Sequence, residues 1–248
     1  MILHVLPDRT GSAAENMALD FLLLQRYPQA AARFRHYGWR RPAFTFGYSQ
    51  KIAFVRSQIE ALTGGAEDAA SGRALDLCRR PTGGGLVDHR EDWTYALVIP
   101  RGHPLEEVPA PQSYRAVHEA LAAALRRQGV AAVAKAEVEP PAAGPPNAGP
   151  GVCFQRAELY DVINPATGEK IAGAAQKRNK HGLLFQGSVW RPAAGAAVDW
   201  EKFREDFIAE LAVTLAIEAV AVPWPELAEH EVEGLTEQYA TPEWNESR

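Results

Sequence analysis

Residues 79–85 read Arg79-Arg80-Pro81-Thr82-Gly83-Gly84-Gly85. Three successive glycines are costly to order, because glycine loses more backbone freedom on folding than any other residue. They permit positive φ and let the backbone approach a ligand or another strand with no Cβ between. Their N–H groups can converge on an anion, and two arginines lie just before them. No Gly-Lys-Ser/Thr follows, so this is not a Walker A loop, and no helix-opening GxGxxG spacing is present. Two readings stand, a hairpin turn and a ligand-binding loop. The adjoining arginines and proline favour the loop. Such a loop needs rigid flanks. Leu75 to Arg80 reads as extended, because Pro81 pushes its predecessor out of the α region, and Thr94 to Pro100, TYALVIP, reads as a buried strand.

The remaining punctuation places strands and helices around that loop. Ser12-Ala13-Ala14-Glu15 is a capping box that opens a helix to about Tyr27, with Met17, Phe21 and Leu24 on one stripe. Arg33 to Trp39 alternates as a strand, and Ala43 to Tyr48 is a short aromatic one. Residues 61–74 are small and polar and read as a surface loop. Ser113 to Gln128 carries a helical stripe of Val117, Ala120, Leu121, Ala124 and Leu125, stopped by Gly129, and Val130 to Val138 reads as a returning strand. Residues 139–151, EPPAAGPPNAGPG, form a long proline-rich surface loop within one domain. Leu159 to Ile163 and Lys170 to Ala175 flank the turn Asn164-Pro165-Ala166-Thr167-Gly168 as a hairpin. Gly182 to Trp190 is a further strand. Trp200, Phe203, Phe207, Leu211 and Leu215 mark a helix, and a short one falls near Val232 to Tyr239. This order predicts an α/β sandwich with a mixed or largely antiparallel sheet, in one domain over 1–248 with a short acidic extension from about 200.

Composition bounds the function. The 248 residues carry 46% apolar and 23% charged side chains, enough for a sizeable core. Net charge is −5, which speaks against a dedicated nucleic-acid binder. Residues 201–248 carry a net −9 and the first 200 a net +4. The densest cation cluster is Lys170, Lys177, Arg178 and Lys180, read as a solvated face or as a rim for an anionic partner. Two cysteines 75 residues apart exclude a disulfide framework or a CxxC zinc site and suggest a reducing compartment. No apolar run reaches ~18 residues and the start lacks a basic, then apolar, leader, so a cytoplasmic chain without a membrane span is expected.

Four candidates carry chemistry. The glycine loop is the first. His89, four residues beyond Gly85, reads either as structural or as part of the same site. Lys170 opens the small-residue run Ile171-Ala172-Gly173-Ala174-Ala175-Gln176, over which a substrate can approach the backbone closely. The lysine reads either as an exposed hairpin residue or as a cation for a carboxylate, phosphate or developing oxyanion. Cys153 stands where the proline-rich loop ends, as a buried small hydrophobe or as an acyl-accepting thiolate, whereas Cys78 fits a buried strand position.

In combination these segments resemble the lipoate-protein ligase A family of the biotin/lipoate ligase superfamily. Arg79 to Gly85 is similar to its RRx(S/T)GGG motif, and His89 falls on that motif's histidine. Lys170-Ile171-Ala172-Gly173-Ala174-Ala175 resembles its K(V/I)xGSA segment, and Phe185-Gln186-Gly187-Ser188 its later (Q/H)HGS stretch. Thr82 stands where serine is commoner, and Gln186 where several ligases have histidine. The resemblance runs from about Leu6 to Trp190. It implies the catalytic fold of biotin protein ligase and class II synthetases, a mixed, mainly antiparallel sheet with flanking helices. It implies transfer of an octanoyl or lipoyl group to a lysine of a lipoyl domain, on glycine cleavage H protein or a dehydrogenase E2. It further implies a substrate site from Arg79, Arg80, Thr82, Gly83, Gly84, Gly85, His89, Gly173, Ala174, Ala175 and Gln186, with Lys170 on the acyl carbonyl and no metal ligands.

Two branches differ in chemistry. The ATP-dependent ligase forms a lipoyl-adenylate with Mg²⁺. The octanoyltransferase branch, of LipM type, takes octanoate from acyl carrier protein onto a cysteine and needs no cofactor. Val152-Cys153-Phe154 followed by Leu159-Tyr160-Asp161-Val162 resembles the cysteine context of that branch and selects it. Cys153 and Lys170 are then the catalytic pair, with an apolar tunnel of Phe, Leu and Val side chains expected for the eight-carbon chain. The alternatives are the ligase and a non-catalytic lipoyl- or biotin-binding module.

Overall fold

A computed structural model describes residues 1–64, 75–137 and 156–247 of the chain. The chain enters through β1 (Ile2–Val5) and β2 (Arg9–Gly11) and turns into α1 (Ala13–Gln25). The capping box forms as read: the Glu15 N–H donates to Ser12 Oγ and the Ser12 N–H to the Glu15 carboxylate. Then come β3 (Ala32–Trp39), β4 (Ala43–Phe46), α2 (Ile52–Thr63), β5 (Asp76–Arg79), β6 (Val87–Asp88) and β7 (Asp92–Pro100). A short α3 (Pro104–Glu107) leads into α4 (Ala110–Arg127), which gives way at Gly129, φ +78°. The two-residue strands β8 (Val133–Ala134) and β9 (Val162–Ile163) precede the long hairpin of β10 (Lys170–Asn179) and β11 (Gly182–Trp190). The end of the chain supplies α5 (Arg191–Ala194), α6 (Trp200–Leu215), β12 (Glu218–Ala221), α7 (Glu229–Ala240) and α8 (Pro242–Asn245).

Among the described residues the large sheet runs β12-β1-β3-β7-β11-β10-β9-β8, with β2 paired to β3. Pairs β1–β12, β1–β3 and β2–β3 are parallel, and the other five are antiparallel. The mixed, mainly antiparallel sheet expected from the sequence is therefore present. A small second sheet, β5-β4-β6, carries the glycine segment between β5 and β6.

Both faces of the central strands are covered, which explains why β7 reads as a continuous apolar run. Tyr95, Leu97 and Ile99 pack toward α4 and α6, against Val117, Leu121, Phe207 and Leu211. Ala96 and Val98 face α1 with Met17, Leu23 and Tyr37. Phe34, Trp93, Tyr95, Phe203 and Phe207 form one aromatic cluster with ring centroids 5.0–6.4 Å apart. Truncating one such ring to alanine costs about 3–5 kcal/mol.

Three expectations change. The loop read over 61–74 begins later, because 61–63 belong to α2; residues 65–74 lie outside those described. Ile52, Val55, Ile59 and Leu62 make a helical stripe over Phe44 and Phe46, and Gly64 caps it at φ +71°. The strand expected over Val130–Val138 shrinks to β8, with Val138 outside the described residues. Of the cation cluster, Lys177 and Arg178 lie on a strand beyond the segment read to Ala175, since β10 runs on to Asn179, and Lys180 sits in the turn that follows. The proline-rich loop 139–151 lies outside the described residues.

His118 on α4 is fully buried, and its Nδ1–H donates to the Tyr160 carbonyl at 2.8 Å. Burial lowers its pKa from 6.5 to about 4. Between those values the unfolded chain takes up a proton that the folded one refuses. The stability tied to neutral His118 is complete above pH 6.5 and drains away as pH falls toward 4, by on the order of 3 kcal/mol. Urea unfolding of His118→Asn at pH 7 and pH 5 should show a smaller loss of stability than the unsubstituted protein. Parallel losses would contradict this.

Candidate active site

The glycine loop has a built shape. The Arg80 guanidinium is buried and donates to the carbonyls of Gly83 (2.9 Å) and Gly85 (2.8 Å) and to Thr45 Oγ1 (2.9 Å). The loop lies flat on the turn after β4. The Tyr48 N–H donates to the Thr82 carbonyl, and a Cβ on Gly47 would stand 2.0 Å from the Gly84 oxygen. Gly84 itself is at φ +87°. Gly47 had no sequence signal beyond being a glycine at the end of a strand.

Arg79, expected beside the substrate, turns the other way. Its guanidinium donates to the carbonyls of Tyr48, Gln50, Trp244 and Asn245, its N–H donates to Asn245 Oδ1, and its carbonyl accepts from the Trp244 indole. Adjacent strand residues point to opposite sides, so Arg80 serves the loop and Arg79 binds the chain's last helix to it.

His89 is buried in a directed chain. Its Nδ1–H donates to Asp92 Oδ2 (2.7 Å), so in the neutral ring Nε2 accepts from Thr45 Oγ1 (2.7 Å). Thr45 accepts in turn from Arg80. Asp92 Oδ2 also accepts from Thr94 and Ser188, and Thr94 Oγ1 from the Trp39 indole. Trp39 stacks on the imidazole at 4.1 Å. His89 is thus held in one orientation as a wall of the site.

Gln186 bridges the loop to α1. Its amide NH₂ donates to Asp20 Oδ2 (2.7 Å) and its oxygen accepts from Thr82 Oγ1 (2.7 Å). Asp20 is wholly buried and paired with Arg35 at 2.6 Å. Burial raises the Asp20 carboxyl above its ordinary range, opposed by the Arg35 charge and the hydrogen bonds from Gln186, Arg35 and Tyr37. Met17 and Tyr37 stand beside it.

Lys170 is not an exposed hairpin residue. It is 5% exposed, with Nζ 2.6 Å from Asp161 Oδ2. A Cβ on Gly173 would lie 2.8 Å from both Cε and Nζ of Lys170, so this glycine lets the lysine cross beneath the strand. A register shift between Lys170 and Ala172 accompanies the crossing. Asp161 also accepts from the Tyr114 hydroxyl (2.6 Å) and the Glu158 N–H (2.7 Å).

These elements enclose a narrow cleft of about 40 Å³. Gly84, Gly85 and Arg80 line one side, Gly173, Ala174 and Ala175 another, and His89, Gln186, Thr45, Thr94 and Ser188 close it. Among the described residues its apolar lining comes from Met17, Val87, the alanines and the glycines, not the Phe and Leu side chains expected of a tunnel. Thr82 and Gly83 belong to the loop without lining the cleft, and Lys170 stands behind Gly173. Cys153 lies outside the described residues. Cys78 is buried, and burial pushes its thiol up to about 12, as suits a packing residue. Asp20, Thr45, Asp92 and Tyr114 were not singled out from sequence, because each has a partner far along the chain: Gln186, His89, Ser188 and Ala174. Among the described residues no group of three His, Cys, Asp or Glu gathers to hold a metal ion, and no helix is long and apolar enough to cross a membrane.

The family model of the lipoyl protein ligase A/B catalytic domain matches residues 12–193, a span that contains every element of this cleft. The chain belongs to that family. It is 33% identical over 181 residues to octanoyltransferase LipM of Geobacillus kaustophilus, covering 71% of this chain and 60% of that protein. To octanoyltransferase LipM of Bacillus subtilis it is 31% identical over 184 residues, covering 72% and 62%. The chain thus matches less than two thirds of the length of these curated relatives. Among solved structures it superposes on protein Ta0514 of T. acidophilum with bound lipoic acid, at TM-score 0.72, 20% identity and full coverage of both chains. A lipoate-protein ligase A bound with ATP superposes at TM-score 0.70 and 20% identity, covering 99% of this chain and 98% of that one. These two share the fold.

In this lipoyl ligase A/B domain the contact of Gly47 with Gly84 predicts an asymmetry among glycines. Gly47→Ala should cost about 1–3 kcal/mol, because the added methyl meets backbone that cannot step aside. Gly83→Ala, with nothing within 4 Å of its Cβ position, should stay within about 0.5 kcal/mol. Urea midpoints of the two variants check this, and equal midpoints would contradict the packed loop.

Proposed function

We propose that this protein transfers an octanoyl group to a lysine of a lipoyl domain, taking it from octanoyl-acyl carrier protein through a thioester on Cys153. The observation that carries the reading is the cleft itself. A narrow slot is walled by glycine and alanine backbone, and a buried, carboxylate-paired lysine stands behind Gly173 in that wall. Such a slot suits an unbranched acyl chain whose carbonyl ends beside a fixed positive charge. Burying each methylene contributes ~0.8 kcal/mol, so seven chain carbons bring about 6 kcal/mol of binding. The curated relatives named octanoyltransferase support the branch, and a T. acidophilum lipoate ligase solved as an archaeal lipoylation system with its E2 lipoyl domain supports the acceptor class.

In the first step the Cys153 thiolate attacks the thioester carbonyl, and the carrier's thiol leaves with a proton. In the second, the acceptor lysine amine attacks the octanoyl-enzyme, forming the amide and releasing the Cys153 thiol. Lys170 stabilises the oxyanion of both tetrahedral intermediates, with a donor at such a position worth ~3 kcal/mol. Arg80 and the glycine loop shape the slot, Gly173 to Ala175 lie along the chain, and His89 and Gln186 bound it. Neither ATP nor a metal enters these steps. Lys177 on β10 turns inward to the Pro81 carbonyl at 3.3 Å, which leaves the exposed Arg178 and Lys180 as the outward cations of that run for an acidic carrier or lipoyl domain.

Intact mass after mixing with octanoyl carrier protein, without ATP, tests the reading. An octanoyl adduct should map to Cys153 and move to an apo-lipoyl domain. Cys153→Ala should lower transfer by roughly 10³-fold or more. Transfer that requires ATP and Mg²⁺ and tolerates Cys153→Ala would turn the assignment to the ligase branch. Ligand binding without turnover would make it a binding module.

A further inference from the structure

We infer that Tyr114 and His118, one helical turn apart on α4, are positioning residues that aim Lys170 at the reacting carbonyl. The inference rests on the reading of Lys170 as the group that holds the acyl carbonyl. It concerns residues on a helix packed behind the sheet, which that reading leaves without a role.

The segment that delivers Asp161 to Lys170 is held in an unfavourable shape. Tyr160 is at φ +66°, a left-handed conformation that costs a bulky L-residue and persists only when its surroundings over-determine it. Here three bonds do so. The Tyr160 N–H donates to the Lys135 carbonyl at 2.8 Å, the Lys135 N–H to the Asp161 carbonyl at 2.8 Å, and His118 Nδ1–H to the Tyr160 carbonyl at 2.8 Å. His118 therefore fixes the peptide immediately before Asp161. Among the described residues its other ring nitrogen is buried without a hydrogen-bond partner, and Nδ1 makes the polar contact.

Tyr114 acts one turn earlier. Its hydroxyl donates to Asp161 Oδ1 at 2.6 Å and accepts from the Ala174 N–H at 2.9 Å. It thereby ties the carboxylate that holds Lys170 to the strand that lines the cleft, at the position next to Gly173. The two rings pack against each other with centroids 4.0 Å apart. Residues i and i+4 share a helix face, so α4 presents both groups as one rigid fork, one prong on the Asp161 side chain and the other on the backbone before it. Neither residue lines the cleft. Their removal should loosen the direction of the Lys170 charge without altering how the acyl chain is bound.

Steady-state transfer from octanoyl carrier protein separates these effects. Tyr114→Phe keeps the ring and removes only the hydroxyl. It should lower kcat about 10- to 100-fold, the loss seen when an orienting partner of a functional group is removed. KM for the donor should stay within about twofold, since uniform binding is untouched. His118→Leu should lower kcat in the same way, and His118→Asn, which keeps an N–H for the Tyr160 carbonyl, should recover most of that loss. Thermal unfolding is read in parallel, and if His118→Leu fails to fold, Tyr114→Phe decides. An unchanged kcat in Tyr114→Phe while Lys170→Met has lost transfer overturns the inference and leaves the reading of Lys170 intact. A rise in KM alone, or a loss in His118→Leu that His118→Asn does not rescue, also overturns it. Full transfer by Lys170→Met would remove the underlying reading instead.

Discussion

Glycines 83–85 carry no side chains with which to hold a conformation, and everything else at the site depends on their being held. The buried Arg80 guanidinium supplies that constraint. It gathers the Gly83 and Gly85 carbonyls on one side and Thr45 on the other. Because Thr45 is hydrogen-bonded to His89 and His89 to Asp92, the shape of the loop is continuous with the wall of the cleft. A guanidinium suits this place better than an ammonium would, since its planar fork bonds several acceptors at fixed angles. The close approach of Gly47 to Gly84 then closes the loop from behind. Two adjacent arginines divide the work, one toward the loop and one toward the C-terminal helices.

A second constraint sets the chemistry. Taking Lys170 out of water is tolerable only with a carboxylate at contact distance and that carboxylate's remaining lone pairs occupied. Asp161 meets both conditions, with Lys170, Tyr114 and the Glu158 N–H around it. Gly173 provides the opening through which the lysine passes beneath the strand. The same small-residue run that admits the lysine gives a substrate chain bare backbone to lie against. One choice of small side chains therefore serves both the placement of the charge and the shape of the slot. The acyl transfer proposed here is the chemistry such a site suits.

Much of the fold was legible because its signals are local. The Ser12 capping box, the buried run Thr94–Pro100, the stripe on α4 and the turn at Asn164–Gly168 each fall where the sequence places them. The helix over 52–63 escaped notice although Ile52, Val55, Ile59 and Leu62 carry its period, because the small polar residues after it drew the boundary too early. The site was legible in part. Motif order singled out the glycine loop, Lys170, Gly173 to Ala175 and Gln186; Gly84, Gly85, Gly173 to Ala175 and Gln186 line one cleft, with Lys170 behind Gly173. The direction of Arg79 was not, because its partners Trp244 and Asn245 lie some 165 residues on. Nor were the two buried carboxylates, Asp20 and Asp92, since nothing in a sequence tells a buried, shared acid from a solvated one.

The central claim is that the cleft holds an acyl chain along Gly84, Gly85 and Gly173–Ala175 with its carbonyl at Lys170. A crystal structure of the protein with octanamide, a non-transferable stand-in for the acyl group, tests it most directly. The account predicts the alkyl chain between the glycine loop and β10, ending near Gln186, with the carbonyl oxygen within about 3.2 Å of Lys170 Nζ. An octanamide seated elsewhere, or one in the cleft whose carbonyl points away from Lys170, would contradict it.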